Sequence, residues 1–369
     1  MLVTLATACS WTSDDDLAPL PDGPGTPFRL VNDDWVQVDG VPGEISDIDA
    51  TYTQYLIVTG RSDDGAATLA AVDGATVLRT ASDIPRGYGD GASSATGDYE
   101  NEGFVLQTDP AALRPARIVV GQLNAGWDVS ESWYPDVLRD RSGLPASWAS
   151  LLFDDEGDLR AVGAVRQADG RWRAHLWEAH PDDGKWRVEE RGNGPLLAQQ
   201  PDAATLVTST EEVQVWLAET AGDDVRVWSI PGDPYDPYPW ERRRLAGGAD
   251  AVTDILSWAI GTWVAGSRDG EAVIWDFDDG QGEVPIPEVA LDPDHPEVRL
   301  LRLPVATQAA FAVQAPDGPS VWLKGVGAWR ELKAPEGTMT SAVATDEGFY
   351  LVIDGALWFR PMPWDEQFP

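Results

Sequence analysis

Residues 32–40 read NDDWVQVDG. Polar turn residues lead to Trp35 and then to a short alternating strand. The same pattern returns at 184–190, GKWRVEE, and at 327–333, GAWRELK. Each later copy closes a run of short strands. The first copy stands near the start of the chain, with only a Pro- and Asp-rich stretch before it. It therefore reads as the last strand of a repeat whose other strands lie elsewhere in the chain.

From residue 28 onward, short β-branched and aromatic runs are parted by Gly, Asp and Pro, and no convincing amphipathic helix interrupts them. The runs fall into groups of four. In 149–190 they are ASLLFDD, LRAVGAVRQ, WRAHLWEA and KWRVEE, separated by DEGD, ADGR and HPDDG, all hairpin-turn chemistry. Further groups follow: ATLVTST, VQVWLAE, VRVWSI and WERRRLA; ILSWA, TWVAGS, AVIWDF and VPIPEVA; VRLLRLP, AAFAVQA, SVWLKGV and WRELKA. Two groups precede them, from ISDIDAT to TVLRTA and from ASSATGD to WDVSES. Trp127, Trp186, Trp240 and Trp329 open fourth strands, and Trp35 has the same setting. From Trp35 to Trp127 is 92 residues, or two units of 46, and the later steps are 59, 54 and 89.

A four-strand repeat of this length is the signature of a β-propeller blade, which buries its faces against its neighbours. The chain ends SAVATDE, FYLVIDG, ALWFRPM, which is three strands without a fourth. NDDWVQVDG supplies it. The expected fold is all-β: a seven-bladed propeller of four-stranded antiparallel blades, its ring closed by the N-terminal outer strand added to the last blade. A stack of β-sandwiches would leave that displaced strand unexplained.

The 369 residues are 43% hydrophobic, with 36 Gly, 28 Pro and 18 Trp, as short strands with amphipathic aromatic ends require. Sixty-two acids against 26 basic residues give a formal net charge of −36. Such a surface repels phosphate backbones and anionic lipid headgroups, so nucleic acid is not an expected partner. The one cysteine excludes an internal disulfide. No stretch has 18 uninterrupted apolar residues, so none is expected to span a membrane.

The chain opens MLVTLATACSWTSDDD. Cys9, preceded by a short apolar run and by Ala6, Thr7 and Ala8, resembles the lipobox of bacterial lipoproteins. The usual Leu three positions earlier is Ala6 here and no basic residues precede the run, departures that a start further upstream would explain. The resemblance implies acylation of Cys9 and an extracytoplasmic protein lipid-anchored to the cell membrane. Residues 1–9 then form a truncated signal peptide with its lipobox. Residues 10–27, SWTSDDDLAPLPDGPGTP, form a flexible acidic linker, and 28–369 form a single propeller domain.

SRDGEAVIW at 267–275, with Ser267, Asp269, Gly270 and Trp275, resembles an Asp-box with extra residues before the Trp. APDGPSVW at 315–322 and QADGRWRAHLW at 167–177 are looser matches. The blades are thus similar to bacterial propeller repeats of Asp-box (sialidase-type) and WD type. In Asp-box families the motif is structural, so the resemblance implies hairpin turns rather than catalysis.

Direct chemical signals are sparse. The three histidines, His175 in a third strand and His180 and His295 before prolines in loops, have no zinc-site spacing. No GxSxG elbow or phosphate-cradling glycine loop is present. Asp-rich loops at 62–65, 232–240 and 276–283 carry the oxygen ligands that suit calcium, but none has the EF-hand spacing. No cofactor or metal is expected, with a structural calcium as the open alternative. The two longest links on the face that commonly holds a propeller's ligand carry the candidate binding residues: Arg86, Tyr88, Asp90, Asp98 and Tyr99 in one, Arg139 and Arg141 in the other. The expected function is binding or scaffolding for a protein or glycan at the cell envelope by a monomer whose only membrane contact is the lipid. The alternative is a sialidase-like or lyase-like carbohydrate-active enzyme, in which those arginines and tyrosines would converge on a sugar carboxylate.

Overall fold

The computed structural model describes residues 35–50, 56–63, 67–81, 91–97, 102–107, 117–121, 146–153, 159–182, 185–198, 206–209, 215–222, 224–230, 240–258, 261–277, 282–303, 309–324 and 328–362. All regular elements among them are strands. Trp35–Pro369 gathers into one compact unit.

Strand β1 (Val36–Gln37) opens the described chain. The first sheet is β2 (Glu44–Ala50), β3 (Leu56–Arg61), β4 (Ala67–Asp73) and β5 (Thr76–Ala81), and the second is β6 (Gly91–Gly97), β7 (Glu102–Gln107) and β8 (Arg117–Gly121). The third is β9 (Ala146–Phe153), β10 (Leu159–Arg166), β11 (Trp172–Asp182) and β12 (Lys185–Leu196). The fourth is β13 (Leu206–Ser209), β14 (Val215–Ala221), β15 (Asp224–Ile230) and β16 (Glu241–Arg243). The fifth is β17 (Ala251–Trp258), β18 (Gly261–Arg268), β19 (Glu271–Asp276) and β20 (Gly282–Glu283). The sixth is β21 (Val298–Leu301), β22 (Ala310–Ala315), β23 (Gly318–Lys324) and β24 (Trp329–Lys333). The seventh is β25 (Met339–Ala344), β26 (Gly348–Ile353) and β27 (Ala356–Pro361), with β1 on its outer edge. The strand expected at Trp127 to complete the second sheet lies outside the described residues.

All these pairings are antiparallel hairpins except that of β1, which comes from the other end of the chain. Val36 stands opposite Phe359 and Gln37 opposite Trp358, and the Val38 N–H donates to Leu357 O at 2.8 Å. The expected VPIPEVA strand does not form: the fifth sheet's outer strand is the two-residue β20 just before it, because Pro285 and Pro287 have no N–H to give the ladder. The segment still follows β19: Val284 N–H donates to Ile274 O, and Ala272 N–H to Val289 O, at 2.8 and 2.9 Å.

Second strands are nearly continuous apolar runs. Every residue of β22 (AFAVQA) and β26 (GFYLVI) is buried. A strand covered on both faces by neighbouring sheets has no solvent face to alternate with. Hydrophobic seams form between consecutive sheets. Leu217 and Trp228 of the fourth meet Val162 and Leu176 of the third, and Phe311 and Leu300 of the sixth meet Ile274 of the fifth. Tyr350, Val352 and Phe359 of the seventh meet Ile48, Val58 and Val72 of the first. The first strands touch in chain order from β2 through β6, β9, β13, β17 and β21 to β25, and β25 also touches β2. Two hairpins, at Asp269-Gly270 (φ 53° and 77°) and Asp354-Gly355 (φ 50° and 73°), place successive residues in the left-handed region, the mark of type I′ turns.

The recurring Trp is explained by its indole. Trp329, at the start of β24, donates its Nε1–H to Pro285 O of the preceding sheet at 3.0 Å and meets Phe311 edge-on, centroids 5.2 Å apart. Trp35, just before β1, donates to Lys333 O of the preceding sheet at 2.8 Å. Trp240, just before β16, packs on the seam with the third sheet. A Trp at the start of a fourth strand staples its sheet to the one before. Trp329→Phe keeps the ring packing and loses one hydrogen bond, so urea unfolding should show a loss of about 1 kcal/mol. Trp329→Ala should cost about 3 kcal/mol, and a Trp329→Phe variant as stable as wild type would remove the hydrogen bond from the account.

Candidate functional site

The first strands carry a repeated irregularity. The register shifts between Ile45 and Asp47 in β2, Val252 and Asp254 in β17, and Met339 and Ser341 in β25. In each case one extra residue, Ser46, Thr253 or Thr340, is accommodated as a β-bulge, which re-aims the residue after it. The partner strand approaches closely at two of the bulges. A Cβ on Gly60 would lie 2.6 Å from Glu44 O, and one on Gly266 2.0 Å from Ala251 O.

The re-aimed side chains bind backbone amides and cross the seams. Asp47 Oδ1 accepts the Ile48 N–H at 2.9 Å and the Ser341 hydroxyl of the seventh sheet at 3.3 Å. Asp254 Oδ1 accepts the Ile255 N–H at 2.8 Å, and its Oδ2 accepts the Leu300 N–H of the sixth sheet at 2.7 Å. The Thr253 hydroxyl donates to Val298 O at 2.8 Å and accepts the Val298 N–H at 3.3 Å.

Arg299 lies at the middle of these groups. Its Nε is 2.6 Å from Glu297 Oε1, an ion-pair contact without the angle of a hydrogen bond, and its Nη2 donates to Thr340 O at 3.3 Å. Burial works against the guanidinium's charge, but Glu297, Asp254 and Asp47 outweigh it, and Arg299 holds its proton more firmly than usual. Burial pushes the Asp254 carboxyl up against the opposing pull of Arg299 and its two amide donors, with Asp47 adding to the rise. Burial pushes Glu297 up as well; Arg299 opposes this and the Asp254 charge reinforces it. Arg299 and Glu297 keep 31% and 26% of their side-chain surface, so these charges are ringed by protein without being sealed from water. Direct contacts link the fifth sheet to the sixth through Asp254 and Leu300, the sixth to the seventh through Arg299 and Thr340, and the seventh to the first through Ser341 and Asp47.

The binding residues expected from the sequence, Arg86, Tyr88, Asp90, Asp98, Tyr99, Arg139 and Arg141, lie outside the described residues, as do Cys9 and the 232–240 loop. Among the described residues no group of three or more His, Cys, Asp or Glu is placed to hold a metal ion, and no helix is long and apolar enough to cross a membrane. His175 is buried in β11, and His180, expected in a loop, is in the same strand opposite Arg187. The Asp-box-like hairpin is tied from outside itself: Asp250 Oδ2 accepts the Asp269 N–H at 2.6 Å, and buried Trp275 donates to Ala246 O at 2.9 Å.

Sequence reasoning passed over Asp47, Asp254, Glu297 and Arg299. Part of the signal was present in Ile45-Ser46-Asp47-Ile48 and Val252-Thr253-Asp254-Ile255, an apolar–hydroxyl–Asp–apolar pattern at the start of first strands. Nothing local marks Glu297 or Arg299, because they meet the other charges only when the sheets assemble.

No protein-family model matches the chain, and no curated protein matches it. Solved structures do. The β-propeller domain of Myceliophteria thermophila Cps50 (Swd1) aligns at a TM-score of 0.54 and 12% identity over 89% of this chain and 99% of its own. The fold is a β-propeller. The propeller domain of the Trilobed protease from Pyrococcus furiosus, described as having an open velcro topology, aligns at 0.52 and 11% identity over 84% of this chain and 90% of its own. A Trypanosoma rangeli sialidase aligns at 0.44 and 12% identity over 90% of this chain and 56% of its own, a likeness too low to bear on activity. These identities show a shared propeller fold and say nothing about the ligand.

Proposed function

We propose that this propeller has seven blades in a closed ring and works as a binding or scaffolding module at the outer side of the cell membrane. The seven sheets, the β1–β27 pairing, and first strands that touch in sequence and return from β25 to β2 support the ring. The MLVTLATACS start and the acidic Pro- and Gly-rich stretch after it support an acyl anchor on Cys9 with a flexible tether. The partner is a protein or glycan of the envelope, met by the links that carry Arg86, Tyr88, Asp90, Asp98, Tyr99, Arg139 and Arg141.

The observation that carries binding over catalysis is the engagement of the charged centre. Asp254 gives both oxygens to amides, Asp47 bridges to Ser341, and Arg299 is held by Glu297 and Thr340 O. These groups hold blades together. A sialidase-like centre would instead need several arginines turned toward a substrate carboxylate, and among the described residues this centre sets one arginine, Arg299, under the charges of three carboxylates.

The test is a crosslinking pull-down from native membranes with the full-length gene product. One dominant protein or glycan, lost when 86–99 and 139–141 are replaced by Gly-Ser turns, is the expected result. No specific capture, or capture indifferent to those loops, overturns the reading. Cys9→Ser should move the protein to the soluble fraction; wild type already soluble removes the anchor.

A further inference from the structure

Few enclosed polar side chains in this protein go without a hydrogen bond. Among the described residues, the buried side-chain nitrogens and oxygens that make none belong to His175, Glu219, Glu297, Arg299, Ser320 and Trp322. His175 and Glu219 make other interactions, and Glu297 and Arg299 pair with each other. The Ser320 hydroxyl and the Trp322 indole N–H remain. Both stand on β23, two residues apart, so they share one face of that strand. Opposite them on β22 are Val313 and Phe311, which pack on the seam with the fifth sheet. The two donors therefore face that seam.

Ser320 is 2% exposed, and the Trp322 ring lies nearly parallel to Phe311, centroids 6.4 Å apart. A buried donor that nothing accepts from keeps the full cost of leaving water, so native folds satisfy such groups with protein or with ordered water. Trp35, Trp275 and Trp329 each give the indole N–H to a carbonyl. Trp322 has the same need, and neither a carbonyl nor the Ser320 oxygen is within hydrogen-bond reach of it.

The segment across the seam departs from the ladder. Val284 N–H reaches Ile274 O, and Ala272 N–H reaches Val289 O. Between these two anchor points β19 has one residue, Val273, while the outer segment has four, 285–288. Those four must arch away from β19. They arch toward the sixth sheet, since Pro285 O accepts the Trp329 indole and Ile286 packs on the same seam as Trp322. Two of the four are prolines, so the arch is richer in carbonyl acceptors than in N–H donors.

We propose that a buried water molecule is a built-in part of this seam, held by the Trp322 N–H and the Ser320 hydroxyl and covered by the 285–288 arch. The chemistry selects it. Trp322 can only donate, so the occupant must accept; Ser320 can do either. Alternate residues of a strand are about 7 Å apart, and a water bonded to two groups at about 2.9 Å each bridges nearly that span. A third hydrogen bond, to an arch carbonyl, would give the number usual for an internal water. The water joins the fifth sheet's irregular outer segment to the sixth sheet where the ladder is missing. The site is independent of the partner and the anchor proposed above.

Two measurements test it. A high-resolution crystal structure of the full chain should show an ordered water within hydrogen-bond distance of both Trp322 Nε1 and Ser320 Oγ. In urea unfolding, Ser320→Ala should lower the folding equilibrium constant about fivefold, the loss of one net hydrogen bond. Trp322→Phe should lower it as well, and the double variant should lose less than the product of the two factors, because both side chains hold the same water. A Ser320→Ala protein as stable as wild type, or more stable, means that the hydroxyl was bonded to nothing and overturns the site. So do independent losses in the two variants, or density in which the seam is dry or either donor turns to a protein carbonyl. If Trp322→Phe fails to fold, the crystal structure and Ser320→Ala still decide.

Discussion

A chain that begins at Gly40 should melt on the order of 10 °C below one that begins at Asn32, and should self-associate. The shorter chain lacks β1 and leaves the edge of β27 open. Three losses coincide. Val38, buried at 4% exposure, contributes roughly 2 kcal/mol. The Trp35 indole packs on the seam between the sixth and seventh sheets and donates to Lys333 O, together about 3 kcal/mol. The ladder to β27 adds about 1 kcal/mol for each hydrogen bond. The sum is a large fraction of the net stability of an ordinary domain. An uncovered edge strand with the apolar sequence ALWFRP is also a template for pairing with another chain. Thermal melts and size-exclusion chromatography of the two chains decide the matter. Excess NDDWVQVDG peptide should restore part of the melting temperature of the shorter chain. Equal melting of the two chains would mean that β1 does not hold the propeller together.

Gly266→Ala should cost about 3 kcal/mol or prevent folding. The methyl group would lie 2.0 Å from Ala251 O and 3.1 Å from the Val252 Cα, both backbone atoms at the bulge that aims Asp254. No side-chain rotation can relieve contacts with main chain, so β17 itself must shift and the Asp254–Leu300 bridge must lengthen. Gly60→Ala meets Glu44 O at 2.6 Å and should behave alike, somewhat more mildly. Gly282→Ala, with nothing within 4 Å, is the control and should stay within about 0.5 kcal/mol of wild type. If Gly266→Ala unfolds in urea together with that control, the close approach of β18 to the bulge is not a constraint on the fold.

These two positions also mark how far local sequence reaches. The repeat, the hairpin breaks and the displaced outer strand were legible because strand period, Asp-Gly turns and the opening Trp act over a few residues. Strands β9 to β12 and β25 to β27 occur where their apolar runs stood, and β1 pairs with the last blade's third strand as the incomplete final group required. The outer strand at 284–290 was misjudged because its apolar residues suit a strand while its two prolines do not supply the ladder. The propensity of the side chains and the hydrogen-bonding capacity of the backbone disagreed, and the backbone prevailed.

The chain order of the strands, the class of fold and the unusually acidic character of this protein are written in short-range pattern and composition. The meeting of Asp47, Asp254, Glu297 and Arg299 is not. Those residues come from three different sheets, and the largest separation among them, Asp47 to Arg299, spans most of the chain. Their proton affinities follow from burial and from one another's charge, quantities that exist only once the first strands have converged and excluded most of the water between them.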